Sequence, residues 1–469
     1  MNLSRTAFSK TDTICAIATP PGTGAIAVVR LSGPESLSIV RHFFIPAGKK
    51  PGTHIMESHK MHFGKFMHEK RIIDEVLLTY FKSPHSYTGE EAVEISCHGS
   101  EFIQQKIIEL LLESGARLAE PGEFTMRAFL NGKLDLSQAE AVADLIASQS
   151  KSAHRLALNQ MRGGFSEKIK ELRDKLLQFA SLIELELDFS EEDIEFADRT
   201  ALHKLLSELK NELTYLISSF KVGNVLKTGI PVAIIGKPNV GKSTLLNAIL
   251  NEEKAIVSEI PGTTRDTIED TIIIHGYRFR FIDTAGLRQS QDTVENIGIG
   301  RTYDKIEQAT IILYICDISD TEHNNVEEIL TEFKQYIEDD DKYFILVANK
   351  IDQLHEIPSH LKEMLELETV FVSAKRKENI HLLAETLVKK VKEKSISSDI
   401  IVSNSRHYDA LMNALDGLRQ VDQALHDNIP TDLVAIDIRQ ALHHLGTITG
   451  EITTDEVLGS IFSKFCIGK

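Results

Sequence analysis

The spacing of apolar residues changes along the chain, and each change marks a different kind of structure. Over residues 1–118, short β-branched runs (GAIAVVRLSG, IIDEVLLTYF, AVEISCHGS) are separated by turns and followed by one stretch of helical period, EFIQQKIIELLLESGA. Period-two runs beside a single helix predict a small α+β domain over 1–118. From Glu120 the period becomes helical. SQAEAVADLI opens on Ser137 and carries Glu140 three residues later, the pattern of a capping box. Phe165, Ile169, Leu172, Leu176, Phe179, Ile183 and Leu187 then recur every three or four residues, as do Leu202, Leu206, Leu209, Leu213, Leu216 and Phe220. Such stripes predict the core-facing sides of bundled helices, with a first helical part over 119–224.

Between 225 and 392 the pattern changes again: IPVAIIGK, RFRFIDTAG, TIILYICD, YFILVANK and ETVFVSAK alternate with helical segments. Strand–helix alternation of this kind predicts a doubly wound parallel sheet. The helical stripe resumes at Tyr408, Leu411, Leu415, Leu418 and Leu425, within a second helical part over 393–469. The expected architecture is therefore a multidomain α/β protein, with an α/β domain inserted into a discontinuous helical bundle. Neither stripe has another obvious partner, so the two helical halves are expected to pack on each other.

Composition narrows the function classes. A formal charge of −17 over 469 residues excludes a protein that grips nucleic acid by overall charge, so any RNA contact needs a local patch or a partner. Residues 317–341 hold ten Asp and Glu against one Lys, which reads as a solvated face. No run of eighteen apolar residues exists and no apolar core precedes the first prolines, so neither a membrane span nor a secretory signal is expected. Cys15, Cys97, Cys316 and Cys466 lie far apart without a C-x-x-C, which argues against zinc or a disulfide framework and suits a reducing cytoplasm. Cys15 and Cys316 sit in apolar runs and read as core, while Cys97 and His98 are strand neighbours pointing to opposite faces, not a catalytic pair.

The chemistry concentrates in the α/β domain. GKPNVGKS, Gly236 to Ser243, follows an apolar strand and opens a helix, the context of a phosphate-binding P-loop. Gly236 and Gly241 let backbone N–H groups curl around phosphates, Lys242 neutralises their oxygens, and Ser243 ligates Mg²⁺. PGTTRD supplies Thr264 as a second Mg²⁺ ligand; DTAG supplies Asp283, to hold a Mg²⁺ water, and the Gly286 N–H, facing the γ-phosphate. NKID supplies Asp352, which can accept two hydrogen bonds from guanine and none from adenine, and SAK supplies a backbone N–H for the guanine carbonyl. Five motifs in order predict a GTP-binding domain. Its contacts are expected at Asn239, Val240, Gly241, Lys242, Ser243 and Thr244; at Ser258, Glu259, Ile260, Pro261, Gly262, Thr263 and Thr264; at Asp283, Thr284, Ala285 and Gly286; and at Asn349, Lys350, Ile351, Asp352, Ser373, Ala374 and Lys375.

The hydrolytic group is less direct. Leu287 follows the D-x-x-G motif where many GTPases place a water-orienting glutamine, and a leucine cannot hold water. Arg265, Arg288, Gln289 and Glu295 are the nearby polar candidates, each equally readable as a solvated loop residue. Asn239 can ligate a monovalent cation together with carbonyls of Ser258 to Thr263, or simply suit a turn.

Taken with EPGEFTMRAFLNGKLDLSQAEA and the terminal FCIGK, these motifs closely resemble the tRNA-modification GTPase family MnmE, also called TrmE, over essentially the whole chain. The resemblance implies a cytoplasmic homodimer formed through an N-terminal domain that binds 5-formyl- or 5,10-methylene-tetrahydrofolate. It implies an FAD-dependent partner, MnmG (GidA), in a heterotetramer or larger assembly. The pair would add an aminomethyl-type (carboxymethylaminomethyl) group at C5 of the wobble uridine of certain tRNAs. It further implies a potassium-stimulated GTPase with Mg²⁺ at Ser243 and Thr264 and K⁺ at Asn239, Ser258, Ile260 and Thr263. Glu295 would position the water and Arg265 would stabilise the switch segment. Folate contacts would fall on Arg30, Glu94, Lys133 and Lys469: a carboxylate suits a pterin edge and cations suit glutamyl carboxylates.

The alternative is an RNA-binding ribosome-assembly GTPase of the Era or EngA kind, but the last 75 residues show neither a G-x-x-G loop nor a basic patch. Cys466 keeps two readings: a catalytic thiol beside the one-carbon unit, or a small residue that packs the tail onto the N-terminal domain of this chain or of its dimer partner.

Overall fold

The computed structural model of the protein describes residues 12–48, 56–188, 199–252, 270–282, 298–319, 326–339, 341–354, 367–394, 400–427, 429 and 431–468. The chain divides into two compact units. One comprises Met1–Ala143, Met161–Asp174 and Leu442–Lys469, the other Asp144–Gln160 and Lys175–Ala441. Among the described residues no helix is long and apolar enough to cross a membrane.

The first unit is built on a seven-stranded sheet of β1 (Ile14–Ile17), β2 (Ile26–Ser32), β3 (Phe44–Pro46), β4 (Met61–His68), β5 (Arg71–Phe81), β6 (Ala92–His98) and β7 (Arg117–Leu118). Their order is β3-β4-β5-β6-β2-β1-β7, antiparallel except for the β1–β7 pair. Period-two alternation assigns the faces. Val29, Leu31, Leu78, Val93 and Ile95 turn inward against Ile107, Leu110 and Leu111 of the helix Glu101–Glu113. The opposite face carries a cross-strand row, Ala16–Arg30–Glu94–Thr79, set by the register.

One helix start differs from expectation. The helix Leu136–Ala147 opens two residues earlier than Ser137 and Glu140 suggested. Asp135 and Gln138 form the reciprocal box instead: the Gln138 N–H donates to Asp135 Oδ1 and the Asp135 N–H donates to Gln138 Oε1, both at 2.9 Å. An aspartate caps at least as well as a serine, and here it precedes it, so Ser137 and Glu140 are buried inside the helix.

The second unit holds the predicted α/β sheet. Its strands are β8 (Ile230–Ile235), β9 (Asp270–Ile274), β10 (Tyr277–Phe281), β11 (Ile311–Asp317), β12 (Tyr343–Asn349) and β13 (Thr369–Phe371). The order is β13-β12-β11-β8-β10-β9, parallel throughout except for the antiparallel edge strand β9, which the apolar pattern did not single out. Every residue of β8 is buried, as a strand covered on both faces requires. Val232 and Ile234 pack with Leu245, Ile249, Leu383 and Leu387 on one face. Ala233 and Ile235 pack with Ile306, Tyr314, Phe333 and Phe344 on the other.

The two helical stripes meet as expected. The helix Arg199–Thr228 lies along Ser405–His426, with the Phe220 and Tyr408 rings stacked at 4.4 Å and Lys210 Nζ at 2.5 Å from Asp422 Oδ2. Ser219 Oγ accepts from the Val402 N–H at 3.0 Å. Cys15, Cys97 and Cys316 are buried core residues, and burial pushes their thiols up to about 11, 11 and 12.

Candidate functional site

Strand β8 ends in a loop that leads directly into the helix Lys242–Glu252. A Cβ at Gly236 (φ 144) would stand 2.3 Å from the Ile315 carbonyl oxygen, and one at Gly241 (φ 99) 2.5 Å from Asn349 Nδ2. Both positions therefore demand glycine twice over, for the left-handed backbone and for close approach. Asn239 takes φ 62 with its side chain exposed on the loop. Lys242 Nζ donates to the carbonyls of Gly236 at 2.7 Å and Lys237 at 2.8 Å, so the loop curls around the ammonium. Ser243 and Thr244 stand in the first helical turn, whose N–H groups lack intrahelical partners and favour an anion.

Strand β12 delivers the next motif. Asn349 is 2% exposed; its Nδ2 donates to the Val240 carbonyl at 2.8 Å and its Oδ1 accepts from the Ala374 N–H at 3.0 Å. It clasps the P-loop to the S-A-K loop, so its amide is engaged by protein. Asp352 receives the Ser373 hydroxyl at 2.7 Å, with Arg376 Nε 3.8 Å away. The Ser373 hydrogen bond, aided by the Arg376 and Lys375 charges, holds the Asp352 carboxyl below its ordinary value. At neutral pH it is an oriented, acceptor-only group.

Hydrogen bonds thus bring together the segments that hold Asn239, Val240, Gly241, Lys242, Ser243, Thr244, Asn349, Lys350, Ile351, Asp352, Ser373, Ala374 and Lys375 at the carboxyl ends of β8, β12 and β13. That is where doubly wound sheets place ligands. Ser258 to Arg265, Asp283 to Gly286, Glu295 and Lys469 lie outside the described residues.

A second cluster occupies the polar face of the N-terminal sheet. Sequence reasoning gave Arg30 and Glu94 separate roles; here they hold each other, Arg30 Nε and Nη2 lying 2.9 and 2.8 Å from Glu94 Oε1. The Arg30 guanidinium also sits 5.5 Å from the Tyr87 ring centre and 5.7 Å from that of Phe124, two aromatic neighbours the sequence did not reveal. Lys133 Nζ donates to the Pro84 carbonyl at 3.2 Å, so Lys133 and Arg30 are both tied to the loop between β5 and β6.

The C-terminal tail docks on this same unit of its own chain. Phe462 and Phe465 pack with Met126, Leu136, Ala139 and Leu458. The Gly122 N–H points to the Cys466 carbonyl at 3.5 Å. A Cβ at Gly122 would lie 2.7 Å from the Phe462 carbonyl oxygen, and one at Gly468 2.4 Å from that of Ile17. Cys466 is exposed, so the phenylalanines and glycines seat the tail, not the cysteine.

The helix Glu123–Leu130 that receives the tail is fixed by an ion network that sequence reasoning missed. Glu123, its side chain fully buried, lies 2.7 Å from Arg117 Nη2 and 2.9 Å from Arg127 Nη2; Arg127 also reaches Asp12 at 2.6 Å and Glu90 at 3.2 Å. Burial alone would raise the Glu123 carboxyl, but Arg117, the Glu120 N–H and Arg127 outweigh it and hold it below its ordinary value. The i,i+4 spacing of Glu123 and Arg127 was the available signal.

Known proteins resemble this chain along nearly its whole length. The family model described as MnmE helical domain matches residues 136–466, and that described as GTP-binding protein TrmE N-terminus matches 13–133. The tRNA modification GTPase MnmE of Christiangramia forsetii is 52% identical over 477 residues, covering 98% of this chain and 99% of that one. The protein of the same name from Flavobacterium psychrophilum is 52% identical over 465 residues, and that from Bacteroides fragilis 51% over 469, each covering 98% of this chain and 99% of its own. With half the residues identical from end to end, and with the helical model matching well over half its length, the chain belongs to the tRNA modification GTPase MnmE family.

Proposed function

We propose that this protein is a potassium-stimulated GTPase that, with an FAD-dependent partner of the MnmG kind, uses a tetrahydrofolate one-carbon unit to build an aminomethyl-type group at C5 of the wobble uridine of certain tRNAs. The observation that carries the GTPase part is the clasp at Asn349, which fastens a glycine-shaped phosphate loop to an oriented carboxylate suited to guanine. On arrival of GTP, Lys242 exchanges the Gly236 and Lys237 carbonyls for phosphate oxygens. Ser243 and Thr264 would hold Mg²⁺, which neutralises phosphate charge when bound. Asn239, raised on the loop at φ 62, would hold K⁺ with carbonyls of Ser258, Ile260 and Thr263. Glu295 orients the attacking water in place of the glutamine that Leu287 replaces, and Arg265 steadies the switch segment.

The one-carbon part rests on the Arg30–Glu94 pair, roofed by Tyr87 and Phe124, beside a docked tail that presents Cys466 to solvent. Arg30, Glu94, Lys133 and Lys469 form the folate set in this reading. Dimerisation is favoured by the same sheet face. Ile26, Met61 and Phe63, which the register places on it, are 66%, 65% and 52% exposed. The ribosome-assembly alternative is not favoured, because the relatives that match from end to end carry a tRNA-modification name. Mass analysis of wobble uridines in tRNA from cells lacking the gene tests the proposal: the modified base disappears, and an unchanged nucleoside profile refutes it.

A further inference from the structure

Strands β11 and β12 are parallel neighbours whose register sets Asp317 opposite Asn349. Asp317 therefore ends its strand beside the N-K-I-D motif without belonging to it. Its two oxygens are spoken for separately. Oδ1 accepts from the Ser319 N–H at 3.0 Å and the Ser319 hydroxyl at 2.6 Å, which fixes the carboxylate plane. Oδ2 lies 2.5 Å from Lys350 Nζ, and both side chains are largely covered, at 17% and 27% exposure. The backbones are tied as well, the Ile318 N–H donating to the Asn349 carbonyl at 3.0 Å. Lys350 itself stands at φ 68, a left-handed conformation that disfavours a lysine and that its neighbours must hold.

Lys350 lies between Asn349, which clasps the P-loop, and Asp352, the carboxylate read as the guanine acceptor. With its backbone in the N-K-I-D motif and its ammonium held at Asp317, its four-carbon stem runs from the motif toward the end of β11. A lysine stem is apolar while its head stays polar, so a stretched one offers a flat apolar strip to a ring face. A loose lysine would lose rotamer freedom each time a ligand bound.

We infer that Asp317 is a positioning residue for nucleobase recognition: by anchoring the Lys350 ammonium it pre-arranges the lysine stem as a packing wall for the face of the guanine ring. The inference rests on the guanine reading at Asp352. That reading has its own test, because Asp352→Asn should exchange preference for GDP for preference for XDP, whose C2 carbonyl accepts from an amide. Asp317→Asn keeps the acceptor for Ser319 and removes the charge that holds Lys350.

The experiment displaces a fluorescent GDP analogue from the full-length protein with unlabelled GDP and, separately, with inorganic tripolyphosphate, which has no base. Asp317→Asn is expected to weaken GDP about 5- to 20-fold and to leave tripolyphosphate within two-fold, with the loss in turnover appearing in KM rather than kcat. Lys350→Met, which keeps a stem without the charge, is expected to add less than two-fold when combined with Asp317→Asn. Equal losses for GDP and tripolyphosphate would mean a damaged phosphate loop and overturn the inference. So would unchanged GDP affinity, or losses that multiply in the double variant.

Discussion

Asn349→Ala tests the central claim that one buried amide couples three motifs. The substitution removes a donor to the Val240 carbonyl at 2.8 Å and an acceptor for the Ala374 N–H at 3.0 Å. Val240 and Ala374 are 5% and 4% exposed, so water does not readily replace either bond. An orphaned buried polar group costs about 1–3 kcal/mol, so the two together cost about 2–6 kcal/mol. Part of this appears as lost stability, read as a lower urea midpoint at unchanged slope. The rest appears as lost pre-organisation: about 2 kcal/mol carried into binding weakens GDP about 30-fold. Asn349→Asp is the sharper variant, since it keeps the acceptor for Ala374 and turns a carboxylate toward the Val240 carbonyl. It should lose at least as much as alanine. Urea unfolding and fluorescent-nucleotide titration of the same preparations decide the matter. A midpoint and a GDP affinity both unchanged for Asn349→Ala would show that the clasp is incidental.

Further outcomes can be checked with purified protein. GTP turnover should rise when K⁺ replaces Na⁺, and Asn239→Ala should flatten that response; equal rates in both salts remove the cation from the mechanism. Glu295→Ala should lower turnover while sparing GTP affinity, and unchanged turnover assigns the water to another group. Glu123 and Asp12 titrate below their ordinary values of 4.5 and 3.8, so their ion network contributes stability above those values that is lost as pH falls through the lower folded ones. The stability gap between the native protein and Glu123→Gln should therefore be widest above about pH 5 and narrow on acidification, and a gap that widens toward acid contradicts the network. Cys466→Ser should abolish tRNA modification while leaving folate binding and GTP turnover intact if the thiol takes part in the chemistry; near-normal modification removes it from the reaction.

The fold was legible wherever a single period ran long enough. β8, β10, β11, β12 and β13 follow from their apolar runs, and the pairing of Arg199–Thr228 with Ser405–His426 follows from two stripes that lacked other partners. What escaped had weak local signals. β4 and β5 are joined through Glu69 and Lys70, at φ 49 and 66, where a hairpin usually advertises Asn or Gly. The capping box at Asp135 was masked by an equally good pattern two residues later.

The described part of the candidate nucleotide site follows the sequence reading in outline because its motifs are contiguous words set at the ends of β8, β12 and β13. Its internal wiring does not. That Asn349 faces protein depends on the loops after β8 and β13 meeting at the end of β12, and that Asp317 holds Lys350 depends on β11 and β12 lying side by side in register, which no local pattern encodes. The N-terminal cluster was harder still. Arg30 meets Glu94 across 64 residues because strands distant in the chain are neighbours in the sheet, and Arg127, on the helix Glu123–Leu130, meets Asp12, just ahead of β1, across 115. At such sites residue type suggests a chemistry, but only topology chooses the partner. The tail shows both halves of the rule: FCIGK leaves Cys466 readable as a catalytic thiol or as a small residue that packs the tail. Contact with Gly122 and Ile17 shows instead that Phe462, Phe465 and Gly468 do the seating, which leaves the Cys466 thiol turned outward. A thiol that the packing does not need is the one whose replacement by serine separates chemistry from architecture.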